Sequence, residues 1–373
     1  MASTNPIKVV ELNFFYMLPE LTRSVFRSVI LPKLKHSLSL TLLHFLPVAG
    51  NLTWPPHAAK PIISYTPNDG VSLTQYPIPK YLSSLQITLF PNKGFSIGYS
   101  TSHAAVDDLL MTASTVHSSE DIGPEYLKRW SGMNQLVGLD ARTLKPILSP
   151  EVPPSSVRAT FEFSHADNKR LRVRVLSQYG KERKPIHLSS FVLSYAYTLV
   201  CIAKARGLNK DDKIIFRFPG DCRARLDPPL PTNYFGNCVM HQVGDLDVEA
   251  LVGDDHGIAY VAQKLAQMVK QLGKGALEGA KEKLAKNTDT SPRTLPIGLT
   301  GSPGFDLYGV DFGWGRPEKV EFTMLDRSES ISMIDSKDGN GGLEIGLVLK
   351  KHHMEIFQTL FVEGLCNDSG YGK

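Results

Sequence analysis

Between Leu31 and Leu46 the chain sets Leu34, Leu38, Leu42 and Leu46 four residues apart, with Lys33, Lys35 and His36 among the other positions. That spacing gathers one apolar row on a helix, and Pro47 followed by Ala49-Gly50 predicts its end. A short strand follows the turn, then Ile62-Ile63-Ser64-Tyr65. Gln86–Phe90 and Phe95–Tyr99 flank Pro91-Asn92-Lys93-Gly94, the pattern of a β-hairpin. The second of these strands runs into Ser100-Thr101-Ser102-His103, and Asp107 and Asp108 then stand where the N-cap of a following helix would be.

Leu148–Ser156 holds three prolines and three serines and reads as a linker. Beyond it, Val157–Phe163 predicts a strand, Asp167–Leu176 a basic helix and Ser190–Ala205 a long apolar helix. Ile214–Phe218 predicts a strand ended by Pro219-Gly220. His256–Lys286 reads as a polar, Lys-rich surface helix interrupted by glycines, and Leu343–Leu349 and His353–Glu363 as a last strand and helix. No fixed-period repeat occurs. Interspersed helices and strands predict an α/β fold with a mixed sheet in each half, and two domains, 1–150 and 151–373.

Composition narrows the class. The 373 residues are 42% hydrophobic and 21% charged, ordinary globular usage, and Lys plus Arg exceed Asp plus Glu by 41 to 37, a net +4. That excess is too small to indicate a nucleic-acid binder. Four cysteines, Cys201, Cys222, Cys238 and Cys366, form no C-x-x-C pair, and the single C-x-x-H of Cys238 and His241 has no second ligand pair, so neither a metal site nor a disulfide framework is expected. No signal peptide and no membrane-spanning apolar run is read. The expectation is a cytoplasmic, monomeric protein with reduced thiols and no membrane partner.

His103, at a strand end with Asp107 four residues on, is the leading chemical candidate. A general base needs an imidazole near its working pH held in one orientation; an ordinary turn histidine beside an N-cap is the plainer alternative. Asp311-Phe312-Gly313-Trp314-Gly315 predicts a tight turn with a large ring packed over it. In Asp221-Cys222-Arg223-Ala224-Arg225, an extended backbone would put both guanidiniums on one side, suited to a carboxylate or phosphate, or merely to surface ion pairs. Tyr234–Cys238 reads as a tight turn beside a core. Nucleotide phosphate loops are absent, and the one G-x-S-x-G match, Gly94–Gly98, falls inside a predicted strand instead of at a nucleophile elbow.

Taken together, His103-x-x-x-Asp107, Tyr234-Phe-Gly-Asn-Cys238 and Asp311-Phe-Gly-Trp-Gly315 resemble the plant BAHD family of acyl-CoA-dependent acyltransferases, in its flavonoid and phenolic glucoside malonyltransferase branch. Ser37–Leu42 through Pro47–Gly50, Thr88–Asn92 and Leu343–Gly346 follow the same order along nearly the whole chain. The resemblance implies a chloramphenicol acetyltransferase-like pair of similar α/β domains with a solvent channel between them. It implies acyl-CoA, malonyl-CoA first, as co-substrate and a phenolic glycoside as acceptor, with no resident cofactor. By the same resemblance His103 is the general base, and Asp107 turns away to pair with an Arg, for which Arg223 is the candidate. Asp311 and Trp314 are mainly structural, with Asp311 retained among the catalytic candidates. Ser190, Arg223 and Arg225 are the coenzyme-contact candidates.

Several departures from the family pattern stand out. Asp108 occupies a position usually held by Gly, and the stretch from Ser114 to Tyr126 is short. No counterpart is found of the Arg that reads a malonyl carboxylate in relatives, and the opening strand reads as abbreviated. Acetyl-CoA or hydroxycinnamoyl-CoA as donor, and a non-catalytic CoA-binding role, are the alternatives.

Overall fold

The computed structural model describes residues 9–102 and 152–366, apart from 54, 58–61, 68, 75–82, 153, 179–185, 228, 231–233, 235–237, 254–255, 276–278, 280–281, 284–285, 287–290, 292 and 328–329. The chain forms two compact units. The first comprises Met1–Ser149, Leu230–Cys238 and Phe305–Met324; the second comprises Pro150–Pro229, Val239–Gly304 and Leu325–Lys373. A single cut at residue 150 would assign 305–324 to the second unit, but strand pairing ties that segment to the first.

The first unit is built on a five-stranded sheet in the order β11-β1-β6-β5-β4. Its members are β1 (Val9–Met17), β4 (Ser72–Thr74), β5 (Ser83–Phe90), β6 (Gly94–Ser102) and β11 (Lys319–Phe322). β2 (Asn51–Thr53) and β3 (Ile62–Ser64) pair separately. The expected abbreviation of the opening strand is not seen: β1 has nine residues and runs antiparallel to both β11 and β6. Its alternation sends Leu12, Phe14 and Tyr16 into the core, at 3%, 2% and 2% exposure. Asn13, on the other face, donates to the Thr323 hydroxyl at 3.1 Å. Glu11 and Asn13 break the apolar run in sequence while fitting a strand of period two.

The predicted hairpin joins β5 and β6 around Pro91, Asn92 and Lys93, with Asn92 at φ 59° and Gly94 at φ 146°. Gly94 is required by proximity as well as by φ, because a Cβ there would lie 1.9 Å from the Tyr16 carbonyl oxygen. The predicted first helix is α1 (Leu31–His44), with Leu34, Leu38 and Leu42 half-buried. It stops earlier than expected. Pro47 has no N–H to give to Leu43, Phe45 breaks to φ −128°, and Leu46–Ala49 forms a separate helical turn.

The second unit carries a mixed six-stranded sheet, β7-β13-β12-β10-β8-β9. The strands are β7 (Ser156–Phe163), β8 (Lys213–Asp221), β9 (Val239–Asp247), β10 (Thr294–Thr300), β12 (Ser330–Asp335) and β13 (Leu343–Lys350). β10 is parallel to β8 and β12, and the other pairs are antiparallel. β8 continues through Pro219 instead of ending there. Pairing with β10 has already stopped at Arg217, so the missing N–H lies where only β9 remains beside the strand.

Among the described residues of this unit are the helices α2 (His165–Gln178), α3 (Ser190–Ala205), α4 (Val248–Val252), α5 (Gly257–Leu272) and α6 (Lys351–Cys366). α2 opens with a reciprocal cap, the Ser164 hydroxyl accepting from the Asp167 N–H at 3.1 Å and Asp167 accepting from the Ser164 N–H at 2.9 Å. Thirteen of the sixteen α3 residues are buried, so this helix is the centre of the core. The polar groups it carries inward are satisfied: Tyr195 donates to the Arg217 carbonyl at 3.1 Å and Tyr197 to that of Phe361 at 2.7 Å. The expected surface helix over 256–286 is corrected to α5. It ends at Gly273 and buries Ile258, Val261, Ala262 and Leu265 against the core, because its apolar residues recur at helical spacing before the glycines begin.

Candidate active site

Asp311 closes its own loop. One carboxylate oxygen accepts the backbone N–H groups of Gly313 at 2.7 Å, Trp314 at 3.1 Å and Gly315 at 3.0 Å. Gly313 and Gly315 have φ of 91° and 88°, the left-handed region where a side chain is disfavoured even though the space around them is open. The two rings of the loop, Phe312 and Trp314, are held by aromatic side chains of β1 and β6. Phe312 meets Phe14 and Tyr16 with centroids 6.4 and 6.1 Å apart, and Trp314 sits edge-on to Phe95 at 5.7 Å. Phe95 in turn stacks on Tyr16 at 5.2 Å. Burial, reinforced by the Asp311 carboxylate, pushes the Tyr16 phenol well above its ordinary pKa, so it stays a neutral donor; its hydroxyl lies 3.5 Å from the Val310 carbonyl.

The loop is therefore fastened to β6, and β6 delivers the chain to Ser102, the residue before His103. Near that end of the strand, the Ser83 hydroxyl lies 3.3 Å from that of Tyr99 and 3.0 Å from that of Thr101, forming a buried polar cluster. His103, Asp107 and Asp108 lie outside the described residues, as do Phe235, Gly236 and Asn237.

In the second unit, Ser190 is the first residue of α3, and the preceding Ser189 caps the helix by accepting from the Val192 N–H at 3.3 Å. The Ser190 hydroxyl accepts from the Asn168 carboxamide of α2. Asn168 is only 4% exposed, and its carbonyl oxygen has no hydrogen-bond partner among the described residues. A buried acceptor left open beside a helix N-terminus can receive an N–H or O–H of a ligand. Sequence reading missed Asn168 because, between Asp167 and Lys169, it carries no periodic or motif signal; only the packing of α2 on α3 reveals it.

Arg223 and Arg225 are not on an extended segment. Arg223–Arg225 is a single 3₁₀ turn closed by the Arg225 N–H on the Cys222 carbonyl at 2.9 Å, so strand alternation does not set their directions. Arg223 pairs with Asp221 at 3.0 Å, and exposed Arg225 donates to the Asp221 carbonyl at 2.6 Å. The guanidinium of Arg225 retains further N–H donors for an anion.

Neither Ser96 nor the buried cysteines are placed to act as nucleophiles. Ser96 of the G-x-S-x-G match is 4% exposed and lies mid-strand opposite Phe15 and Thr88. Burial pushes the Cys222 thiol up to about 11 and the Cys201 thiol up to about 12, and Cys238 is 1% exposed. Among the described residues there is no group of three His, Cys, Asp or Glu placed to hold a metal ion, and no helix is long and apolar enough to cross a membrane.

The fold of the chain is similar to that of the vinorine synthase crystal structure. The match has TM-score 0.70 and 18% identity, and it covers 96% of this chain and 91% of that one. A family model described as the Transferase family matches residues 153–363. The chain is also similar to phenolic glucoside malonyltransferase 1 of Arabidopsis thaliana, 33% identical with 97% of this chain and 91% of the relative covered. Agmatine coumaroyltransferase of the same plant is 31% identical, with 97% and 92% covered. The chain belongs to this transferase family, the BAHD acyltransferases, and is an acyl-CoA-dependent acyltransferase. Its alignment with the first of these relatives has 428 positions, whereas 97% of 373 residues is about 362, so roughly 66 positions fall opposite gaps in this chain.

Proposed function

We propose that the protein transfers a malonyl group from malonyl-CoA to a sugar hydroxyl of a phenolic or flavonoid glucoside. What supports this reading most is the likeness to phenolic glucoside malonyltransferase 1 over 97% of the chain, together with the order of the His103, Tyr234 and Asp311 motifs. In this reading the His103 imidazole takes the proton of the acceptor hydroxyl as its oxygen attacks the thioester carbonyl. The tetrahedral intermediate then expels the CoA thiolate, which recovers the proton from the imidazolium. A positioned base of this kind contributes roughly 10²–10⁴ in rate. No covalent acyl-enzyme is needed, in keeping with the mid-strand burial of Ser96.

Asp107 holds the His103 geometry, and the Asp311 loop braces the strand that leads to it. Asp311 acts through its loop N–H bonds and not on the reacting atoms. Ser190 with the open Asn168 carbonyl can receive an amide or hydroxyl of the coenzyme, while Arg225, backed by Arg223, faces its phosphates. The enzyme works as a cytoplasmic monomer, where the thiols of Cys201, Cys222 and Cys238 stay reduced.

A second reading keeps the scaffold and changes the donor to a hydroxycinnamoyl-CoA. The likeness to agmatine coumaroyltransferase, and the missing counterpart of a malonyl-reading Arg, favour it. Mass spectrometry of products formed from equimolar malonyl-, acetyl- and coumaroyl-CoA with a panel of phenolic glucosides distinguishes them. A gain of roughly 86 Da, one malonyl group less the hydroxyl hydrogen it replaces, is expected; coumaroyl products alone would replace the first reading by the second.

A further inference from the structure

The helix α1 is only loosely packed, although the segment leading into it is anchored by buried Phe26 and Ile30. None of the fourteen residues of α1 is buried, and an unpacked helix of this length is marginal in water. Leu34, Leu38 and Leu42 are half-buried on the inner side, yet the outward side carries Leu40 and Leu43 at 50% and 67% exposure. Val25 and Val29 just before it, and Leu46 just after, are exposed at 46%, 43% and 39%. Large apolar side chains clustered on one surface element mark a contact surface.

The polar groups there narrow what covers it. From Leu21 to Asn68 the sequence contains no Asp or Glu. Arg23, Arg27, Lys33 and Lys35 are all exposed, and none pairs with a described carboxylate. The hydroxyls of Ser28, Ser39 and Thr41 are turned back onto the carbonyls four residues earlier, at 2.9, 3.0 and 2.9 Å, which reduces the polarity the helix presents. A second copy of the same face would bring like charges together. Leucines and valines interleaved with cations that no described carboxylate pairs suit an interface that is apolar just beneath a layer of negative charge.

We propose that α1, with Arg23–Ile30 before it, seats on an anionic lipid surface. The helix would lie in the plane of the headgroups, with Leu40 and Leu43 entering the acyl boundary and Lys33, Lys35, Arg23 and Arg27 meeting lipid phosphates and carboxylates. Such peripheral docking needs no spanning helix, and it revises the expectation of no membrane partner. It does not depend on the acyl donor or acceptor.

Co-sedimentation of the full chain with phosphatidylcholine vesicles, with and without about 30% phosphatidylserine, tests it. Binding is expected only to the anionic vesicles and should be lost near 1 M salt, where the screening length falls to about 3 Å. The double variant K33Q/K35Q should reduce partitioning roughly 25-fold, about fivefold per charge, and L40S/L43S should abolish it; both alter exposed side chains, and an unchanged melting temperature verifies the fold. Equal binding to neutral vesicles, no binding by the parent chain, or a dimer in sedimentation velocity that L40S/L43S dissolves would each overturn the proposal.

Discussion

Replacing Asp311 separates two roles that the sequence leaves together, bracing the loop and acting on substrate. Asp311→Ala removes one acceptor from three backbone N–H groups at 2.7–3.1 Å. A hydrogen bond to a charged group is worth about 1.5–3 kcal/mol when shielded, but this loop is exposed and water can replace the carboxylate, so roughly 0.5–1 kcal/mol each is appropriate. The loss is then about 2 kcal/mol, or a fall of roughly 4–8 °C in melting temperature for a domain of this size. Asp311→Asn keeps an oxygen acceptor without the charge and should lose about half as much. Thermal unfolding by circular dichroism, with kcat and KM measured well below the transition, gives both readouts. Both variants should be less stable in that order and retain most of their turnover. An unaltered melting temperature with abolished turnover would refute the structural assignment and put the Asp311 carboxylate on the reacting atoms.

Gly94→Ala should cost more than 3 kcal/mol, because a Cβ placed 1.9 Å from the Tyr16 carbonyl forces β1 and β6 apart; loss of soluble protein or a large drop in denaturation midpoint checks it. Tyr197→Phe leaves the Phe361 carbonyl without its donor at 2.7 Å and should destabilise by about 1–2 kcal/mol, read by chemical denaturation. Near neutral pH a thiol reagent should label exposed Cys366 in the native protein and all four cysteines after denaturation, since burial keeps Cys201 and Cys222 protonated. Those raised thiols also set an alkaline limit. Their contribution is complete below the ordinary thiol pKa of about 8.5 and declines as pH rises through about 11 for Cys222 and about 12 for Cys201. A melting temperature that held constant from neutral to strongly alkaline pH would contradict this.

Local signals carried much of the fold. The leucine row of α1, the Pro-Asn-Lys-Gly turn and the largely apolar stretch of α3 each state their structure within a few residues. What stayed hidden depends on distant partners. Lys319–Phe322 is too short to read as a strand until β1, some three hundred residues earlier, supplies its neighbour, and that pairing draws the Asp311 loop onto the first unit. Arg223 and Arg225 alternate as on a strand, yet the helical φ and ψ of Cys222 close a turn that side-chain spacing does not encode. Of the candidate site, the motif order was legible through resemblance, whereas the aromatic brace of Tyr16 and Phe95 and the open Asn168 carbonyl exist only once the elements have packed.

The central claim is that His103 is the base in acyl transfer from malonyl-CoA to a phenolic glucoside. Its most direct test is kcat/KM for that reaction in the parent protein and in His103→Ala, measured side by side. A fall of about 10²–10⁴ with an unchanged melting temperature is predicted; turnover within a few-fold of the parent would contradict the account.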